Sequence, residues 1–287
     1  EDHISQTKGR DLSFRGKTLN LNCKALAPFW YLAKVFPFPT WLIKRTNKII
    51  FDYIWNNQTE TIKRETLYLP KEMGGLGIFN PQKQNIALRT KEISNICNPN
   101  FKLKWVYLAR YFLGFQLAPL SDEWNFLRSN TTPKPDSDKF PPFYGDILEL
   151  IKTIDMEKVQ WDTKFLYYAQ FKSPHVTATE KWRSLRPVKY QWDKAWTNVH
   201  WSLSSGKHQE LHFKFLHLSI KTRQRLHSWK FNKFINPLCI ECKNNGLNYV
   251  ETHLHLFFDC PLAYSVWKQT KLIIQKLIPG TRVQCFM

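Results

Sequence analysis

Residues 239–261 read CIECKNNGLNYVETHLHLFFDCP. Cys239 and Cys242 are followed by twelve residues, then His255, four more residues and Cys260, a C-x2-C-x12-H-x4-C spacing. Three thiols and one imidazole suit a borderline-soft ion such as Zn2+, and four protein ligands leave no open position for a reacting water. The spacing therefore predicts a closed, structural zinc site that organises loops. Asn244-Asn245-Gly246 supplies a turn within the spacer. Pro261 suits the first position of a helix whose N-cap is Cys260, where the positive helix end favours thiolate. His253 competes with His255 as the nitrogen ligand. Ligand atoms held at about 2.0–2.3 Å from an ion must lie within about 4 Å of one another. His255 lies nearer Cys260 in the chain than His253 does, so it closes the ring more easily. Buried, metal-free cysteines are the alternative.

The other cysteines, Cys23, Cys97 and Cys285, are scattered. That pattern fits metal binding in a reducing compartment, nucleus or cytoplasm, better than a disulfide framework. The 287 residues carry 42 Lys and Arg against 23 Asp and Glu, a formal charge of +19 spread over most of the chain. A polyanionic partner is expected, nucleic acid first, because cations that neutralise phosphates release condensed counterions whatever the base sequence. A membrane is not expected: the uncharged run Ala25–Ala33 is far shorter than the roughly 20 residues of a spanning helix, and Lys34 ends it. Glu1-Asp2-His3 lacks the basic and apolar features of a secretory signal, so secretion is not expected either. The first residue is not Met, which fits a piece of a longer protein.

Working outward from the metal motif, 206–218 and 222–229 read as helices that lead into it, and 201–287 forms a small zinc-stabilised module. Before it, 143–200 is a helical, Trp-rich connector, with a helix over 147–154 and Trp161, Trp182, Trp192, Trp196 and then Trp201 nearby. Most of the tryptophans are expected in cores. Residues 129–142, SNTTPKPDSDKFPP, hold four prolines among polar groups and mark the best boundary between two halves. In 1–128, Leu12, Gly16, Leu19, Cys23, Leu26, Trp30 and Ala33 recur at steps of four and three, which predicts one helical stripe interrupted by Pro28. Thr40 is expected to cap a second helix with Ile43, Ile50 and Ile54 inward, Trp41 being a further candidate. Thr66–Leu69 and Leu76–Phe79 read as a small β-hairpin around Gly74-Gly75. Asn80-Pro81 starts a third helix with Ile86, Ile93 and Ile96 inward, and 101–117 forms a fourth. The expected fold is mainly α.

Candidate phosphate contacts are Arg10, Arg15, Lys17 and Lys24 near the start, and Lys207, Lys221 and Arg223 before the metal motif. A solvated helix face is the competing reading for each. His208, His212, His217 and His227 have no accompanying cysteine or paired carboxylate and are not expected to form a second metal site. Catalysis finds little support, since no glycine-rich phosphate loop, nucleophile elbow or paired aspartate in a strand-like run is present. Asp136 and Asp138 are close in sequence but sit in the Pro-rich stretch.

Two blocks resemble the C-terminal part of reverse transcriptases from non-LTR, LINE-type retrotransposons. The first includes Leu12-Ser13-Phe14-Arg15-Gly16-Lys17, Phe36-Pro37-Phe38-Pro39, Phe51-Asp52-Tyr53-Ile54-Trp55 and the run LPKEMGGLGI over 69–78, and is similar to that family's post-palm region with the polymerase thumb. The second runs from Trp196 through Ser204-Ser205-Gly206-Lys207, Thr222-Arg223 and Leu226-His227-Ser228-Trp229 to Glu251-Thr252, His255-Leu256-Phe257 and Cys260-Pro261, and is similar to the reverse-transcriptase zinc-binding domain. The resemblance implies that 1–128 is a thumb-like domain gripping an RNA–DNA template-primer duplex, with the zinc module assisting RNA or target binding. The palm motifs with their Asp-Asp pair are not in this chain, so the expectation is a non-catalytic binding part. An alternative from another class is a host-retained remnant that uses zinc and tryptophans to shape a protein-interaction scaffold.

Overall fold

The computed structural model describes residues 2–127, 141–155, 158–171, 176–185, 191–200, 204–230 and 236–278. It is mainly helical, and the chain divides into two compact units, Glu1–Lys207 and His208–Met287.

The first unit begins with α1 (Asp2–Lys8). Ser13 then adopts extended backbone and its Oγ accepts the Gly16 N–H, which starts α2 (Phe14–Asn20). Leu21–Ala25 form a π-helical turn in which the Leu26 N–H reaches back to the Leu21 carbonyl at 2.8 Å. Pro28 has no N–H to continue an α-helical ladder, so the interruption is placed ahead of it, and α3 (Ala27–Ala33) resumes beyond. This turn shifts the helical register. Of the expected stripe, Leu26 and Ala33 are buried and Leu12, Gly16 and Trp30 half-buried, whereas Leu19 and Cys23 are exposed and Phe14, Lys17, Thr18 and Leu21 face inward there instead.

Helix α4 (Thr40–Ile54) starts at Thr40 with Pro39 in the N-cap position, so Thr40 opens the helix without capping it. Its inward face is Thr46, Ile50, Phe51, Tyr53 and Ile54; Ile43 is half-buried and Trp41 points outward at 65% exposure. Asn20 and Asn85 tie these pieces together through buried amides. Asn20 Nδ2 donates to Tyr53 Oη at 3.0 Å, and Asn85 Nδ2 donates to the Ala33 and Phe36 carbonyls at 2.9 and 2.8 Å. Each such bond satisfies a group that would otherwise cost about 1–3 kcal/mol to bury.

The expected hairpin does not form. Arg64–Tyr68 is a short helix, α5, because the Thr66 and Leu67 N–H groups both turn back to the Lys63 carbonyl. The returning chain supplies donors only: Leu76 and Ile78 N–H point to the Leu67 carbonyl and Gly77 N–H to the Leu69 carbonyl. Among the described residues there is no β-strand, only an isolated bridge between Leu238 and Val250. The glycines still matter. Gly74 has φ of +82° and lies against the Trp196 ring, and a Cβ on Gly75 would fall 1.8 Å from the Leu69 carbonyl oxygen.

Asn80 caps α6 (Pro81–Thr90) as its sequence predicts, accepting from the Gln82 and Lys83 N–H groups at 3.0 and 3.1 Å. Helices α7 (Ile93–Ile96) and α8 (Lys104–Leu117) follow. Ile93, Ile96, Ala109, Leu113, Leu117, Trp124 and Leu127 share one core with Ile147, Leu148 and Ile151 of α9 (Gly145–Thr153). Residues on both sides of the Pro-rich stretch thus bury apolar surface together, so it does not separate two cores; residues 128–140, with Asp136 and Asp138, lie outside the described residues. Arg89 is fully buried, donating to Phe143 O at 2.6 Å, Asn85 Oδ1 at 3.1 Å and Asp146 Oδ2 at 2.7 Å. Helices α10 (Thr163–Tyr168), α11 (Thr177–Leu185) and α12 (Trp192–Val199) complete the unit.

In the second unit, α13 (Gly206–Leu216), most of which belongs to it, precedes α14 (Arg223–Ser228), with Thr222 as N-cap. The short α15 (Ile240–Asn244) and the long α16 (Pro261–Leu277) flank the metal motif. Phe215 packs edge-on to Phe257 at 4.7 Å, and Phe258 stacks on Trp267 at 6.2 Å. The tryptophans divide more evenly than expected: Trp55, Trp124, Trp182 and Trp196 are buried, while Trp41, Trp105, Trp229 and Trp267 are exposed. Trp201 lies outside the described residues.

Gly75→Ala is expected to destabilise the first unit by roughly 3 kcal/mol or more, because the clash is with backbone. Gly145→Ala, with nothing within 4 Å of its Cβ, is the control. Urea unfolding of both variants tests this, and equal midpoints would refute it.

Candidate metal centre and basic surface

The metal motif folds through local hydrogen bonds. Cys239 takes the N-cap position of α15 while its N–H donates to the Tyr249 carbonyl at 2.8 Å, and Glu251 N–H donates to Pro237 O at 2.9 Å. These bonds flank the Leu238–Val250 bridge and close the spacer. The turn expected at Asn244-Asn245-Gly246 is present, with Gly246 at φ of +76° and Leu247 N–H returning to Cys242 O at 2.8 Å. Cys260 is the N-cap of α16 and Pro261 its first residue, as predicted.

Cys239, Cys242, His255 and Cys260 are all buried, and their Sγ and imidazole nitrogen atoms lie within 4.8 Å of one another. Cys242 Sγ is 3.3 Å from His255 Nε2 and 3.8 Å from Cys260 Sγ. Bond lengths of about 2.3 Å to sulfur and 2.0–2.1 Å to nitrogen give tetrahedron edges of about 3.6–3.8 Å, so the cluster is compatible with one tetrahedral ion. Burial, reinforced by the neighbouring Cys260 and Cys239 thiols, pushes the Cys242 thiol up to about 12. A divalent cation supplies the charge that lets such thiols give up their protons.

His255, not His253, joins the cluster. Its ring lies 5.8 Å from that of Tyr249, and its backbone N–H donates to Thr252 Oγ1 at 3.0 Å. Thr252 is a supporting residue that the ligand spacing alone does not reveal; its position three before His255 is the local signal for a side chain capping a helical turn. Among the described residues no other group of three or more His, Cys, Asp or Glu side chains converges in this way, the histidines between 208 and 227 included.

The expected phosphate contacts separate into different environments. Arg10, Arg15, Lys24 and Lys221 are exposed. Lys207 is exposed and ion-paired to Asp11, whose carboxyl it holds below the usual range through that hydrogen bond. Arg223 is partly withdrawn: its N–H donates to Glu251 Oε1 at 2.8 Å and its Nε to Asn236 O at 2.9 Å, bracing the metal loop. Lys17 is buried at 5% exposure and is not placed to meet a phosphate. Its Nζ donates to Ile54 O at 2.9 Å and Asn56 Oδ1 at 2.7 Å, so the ammonium satisfies the carbonyl end of α4.

Among the described residues no helix is long and apolar enough to cross a membrane. No protein-family model matches the chain, and no curated protein matches it.

Cobalt(II) titration is expected to give one tetrahedral, thiolate-ligated ion per chain, read from its visible absorption. Cys242→Ser and His255→Ala should each abolish that spectrum and loosen the second unit, whereas His253→Ala should preserve it. Equal loss in His253→Ala and His255→Ala would overturn the ligand set.

Proposed function

We propose that this chain is a nucleic-acid-binding, zinc-stabilised part of a non-LTR, LINE-type reverse transcriptase, gripping RNA or an RNA–DNA template-primer duplex. The observation that carries this reading is the joint presence of a buried Cys3His cluster and a formal charge of +19. Zinc is the best occupant for three thiolates and an imidazole, and Cys239, Cys242, His255 and Cys260 would hold it. It would organise the loop from which α16 departs and supply no reaction chemistry. The sequence resemblance to thumb and zinc-binding regions gives the same assignment. In this reading the polymerase's aspartate-bearing palm performs synthesis, and the reducing interior of the cell keeps the thiols available to metal.

Exposed Arg10, Arg15, Lys24 and Lys221 are the phosphate contacts in this proposal, while Lys17 and Arg223 act through structure. Fluorescence anisotropy with an RNA–DNA primer-template, across about 50–200 mM salt, tests it. Affinity should fall steeply and linearly on a log–log plot. Arg15→Gln should reduce the slope by about one, whereas Lys17→Met should lower the melting temperature and leave the slope unchanged. Weak binding that ignores salt would sink the proposal.

A further inference from the structure

Helices α1, α3 and α4 and the π-helical turn enclose an open groove of about 280 Å3 in the first unit. Leu26, Phe29, Leu42 and Ile49 form much of its wall, and Trp41 and Arg45 belong to its lining while facing solvent. The same segment leaves Leu32, Val35 and Phe36 more than half exposed. An open apolar concavity, with further exposed apolar side chains in the same segment, is the kind of surface that marks an interaction site.

The charge along the segment that forms most of its wall is one-sided. From Leu12 to Phe51 the sequence has no Asp or Glu, yet it carries Arg15, Lys17, Lys24, Lys34, Lys44, Arg45 and Lys48. Only Lys17 of these is buried. Nucleic acid matches the cations but not the wall, since phosphates cannot be desolvated among Leu, Ile and Phe side chains without large cost. A second copy matches the wall but sets cation against cation. A bilayer is flat and does not fill a concavity.

We propose that the groove docks an acidic amphipathic helix of a partner protein, with leucine-like side chains at positions i, i+3, i+4 and i+7 in the groove and carboxylates over Arg45, Lys44 and Lys48. The wall supplies affinity, and the basic border sets the sign of the partner and its orientation. This docking uses Lys44, Arg45 and Lys48, none of which is among the proposed phosphate contacts Arg10, Arg15, Lys24 and Lys221.

The probe is a fluorescein-labelled, end-capped helix of roughly 18 residues, with Leu at those spacings and Glu and Ala elsewhere, mixed with the full chain at about 0.15 M salt. Saturable binding is expected. Trp41→Ser and Arg45→Glu, both at exposed positions, should each weaken it about tenfold, and Arg45→Lys should restore most of the loss. Melting temperature and primer-template affinity should stay unchanged in all three variants. Equal binding of a control peptide with every Leu replaced by Ser would overturn the proposal, as would unaltered peptide binding in both variants. Primer-template affinity that falls in Trp41→Ser while peptide binding persists would instead assign the groove to nucleic acid. Loss in Trp41→Ser of cosedimentation with phosphatidylserine vesicles, again with peptide binding intact, would assign it to a membrane.

Discussion

The segment from Cys239 to Cys260 is arranged so that three thiols and an imidazole lie within 4.8 Å of one another. The four residues come from the N-cap and interior of a five-residue helix, from a π-helical turn and from the N-cap of a long helix. None of these pieces buries enough apolar surface to fold alone, and short isolated helices are marginal in water. The backbone bonds from Cys239 to Tyr249 and from Glu251 to Pro237 set the loop's shape, and Arg223 fastens that loop to the preceding helix. A bound ion, as proposed, would convert several weak local preferences into one geometry.

The first unit solves a different problem with neutral amides and two buried cations. Asn20, Asn22 and Asn85 each bond across long sequence separations, and Asn22 reaches both the Gly77 carbonyl and the Phe79 N–H. Arg89 and Lys17 direct their charge at carbonyls that helices and turns leave open. A chain with 42 basic residues has cations to spare for such internal duty, and counting its charge therefore overstates the number that face solvent.

The features legible in the sequence were those fixed by neighbours. Asn80-Pro81 and Cys260-Pro261 mark helix starts because an N-cap and a proline with no N–H act within a single turn. The ligand set was legible because spacing limits which atoms can meet. Illegible features depended on distant partners. Lys17 read as a surface cation because nothing local discloses the α4 carboxyl end that receives it. Of the stripe from Leu12 to Ala33, Leu26 and Ala33 are buried, whereas Leu19, ahead of the π-helical turn, is exposed because Phe14, Lys17, Thr18 and Leu21 take the inward face. Strand-like residues 66–68 are helical because the Thr66 and Leu67 N–H groups bond to the Lys63 carbonyl, and only Leu69 is extended. The exposed groove at Trp41 and Arg45 was missed for a related reason: a solvent-facing tryptophan and a core tryptophan look identical until the packing is known.

Cys260 belongs both to the metal cluster and to the start of α16, and this double membership has a mechanical meaning. Seventeen helical residues span about 25 Å, and none of their side chains is buried. At its base Ala263 packs on the cysteines and Trp267 Nε1 donates to Phe257 O, and farther along Thr270, Lys271 and Ile274 are half-buried. A tilt of about ten degrees at that base carries the far end by about 4 Å, so an ion bound as proposed would, through its bond to one sulfur, influence where Leu277 is presented.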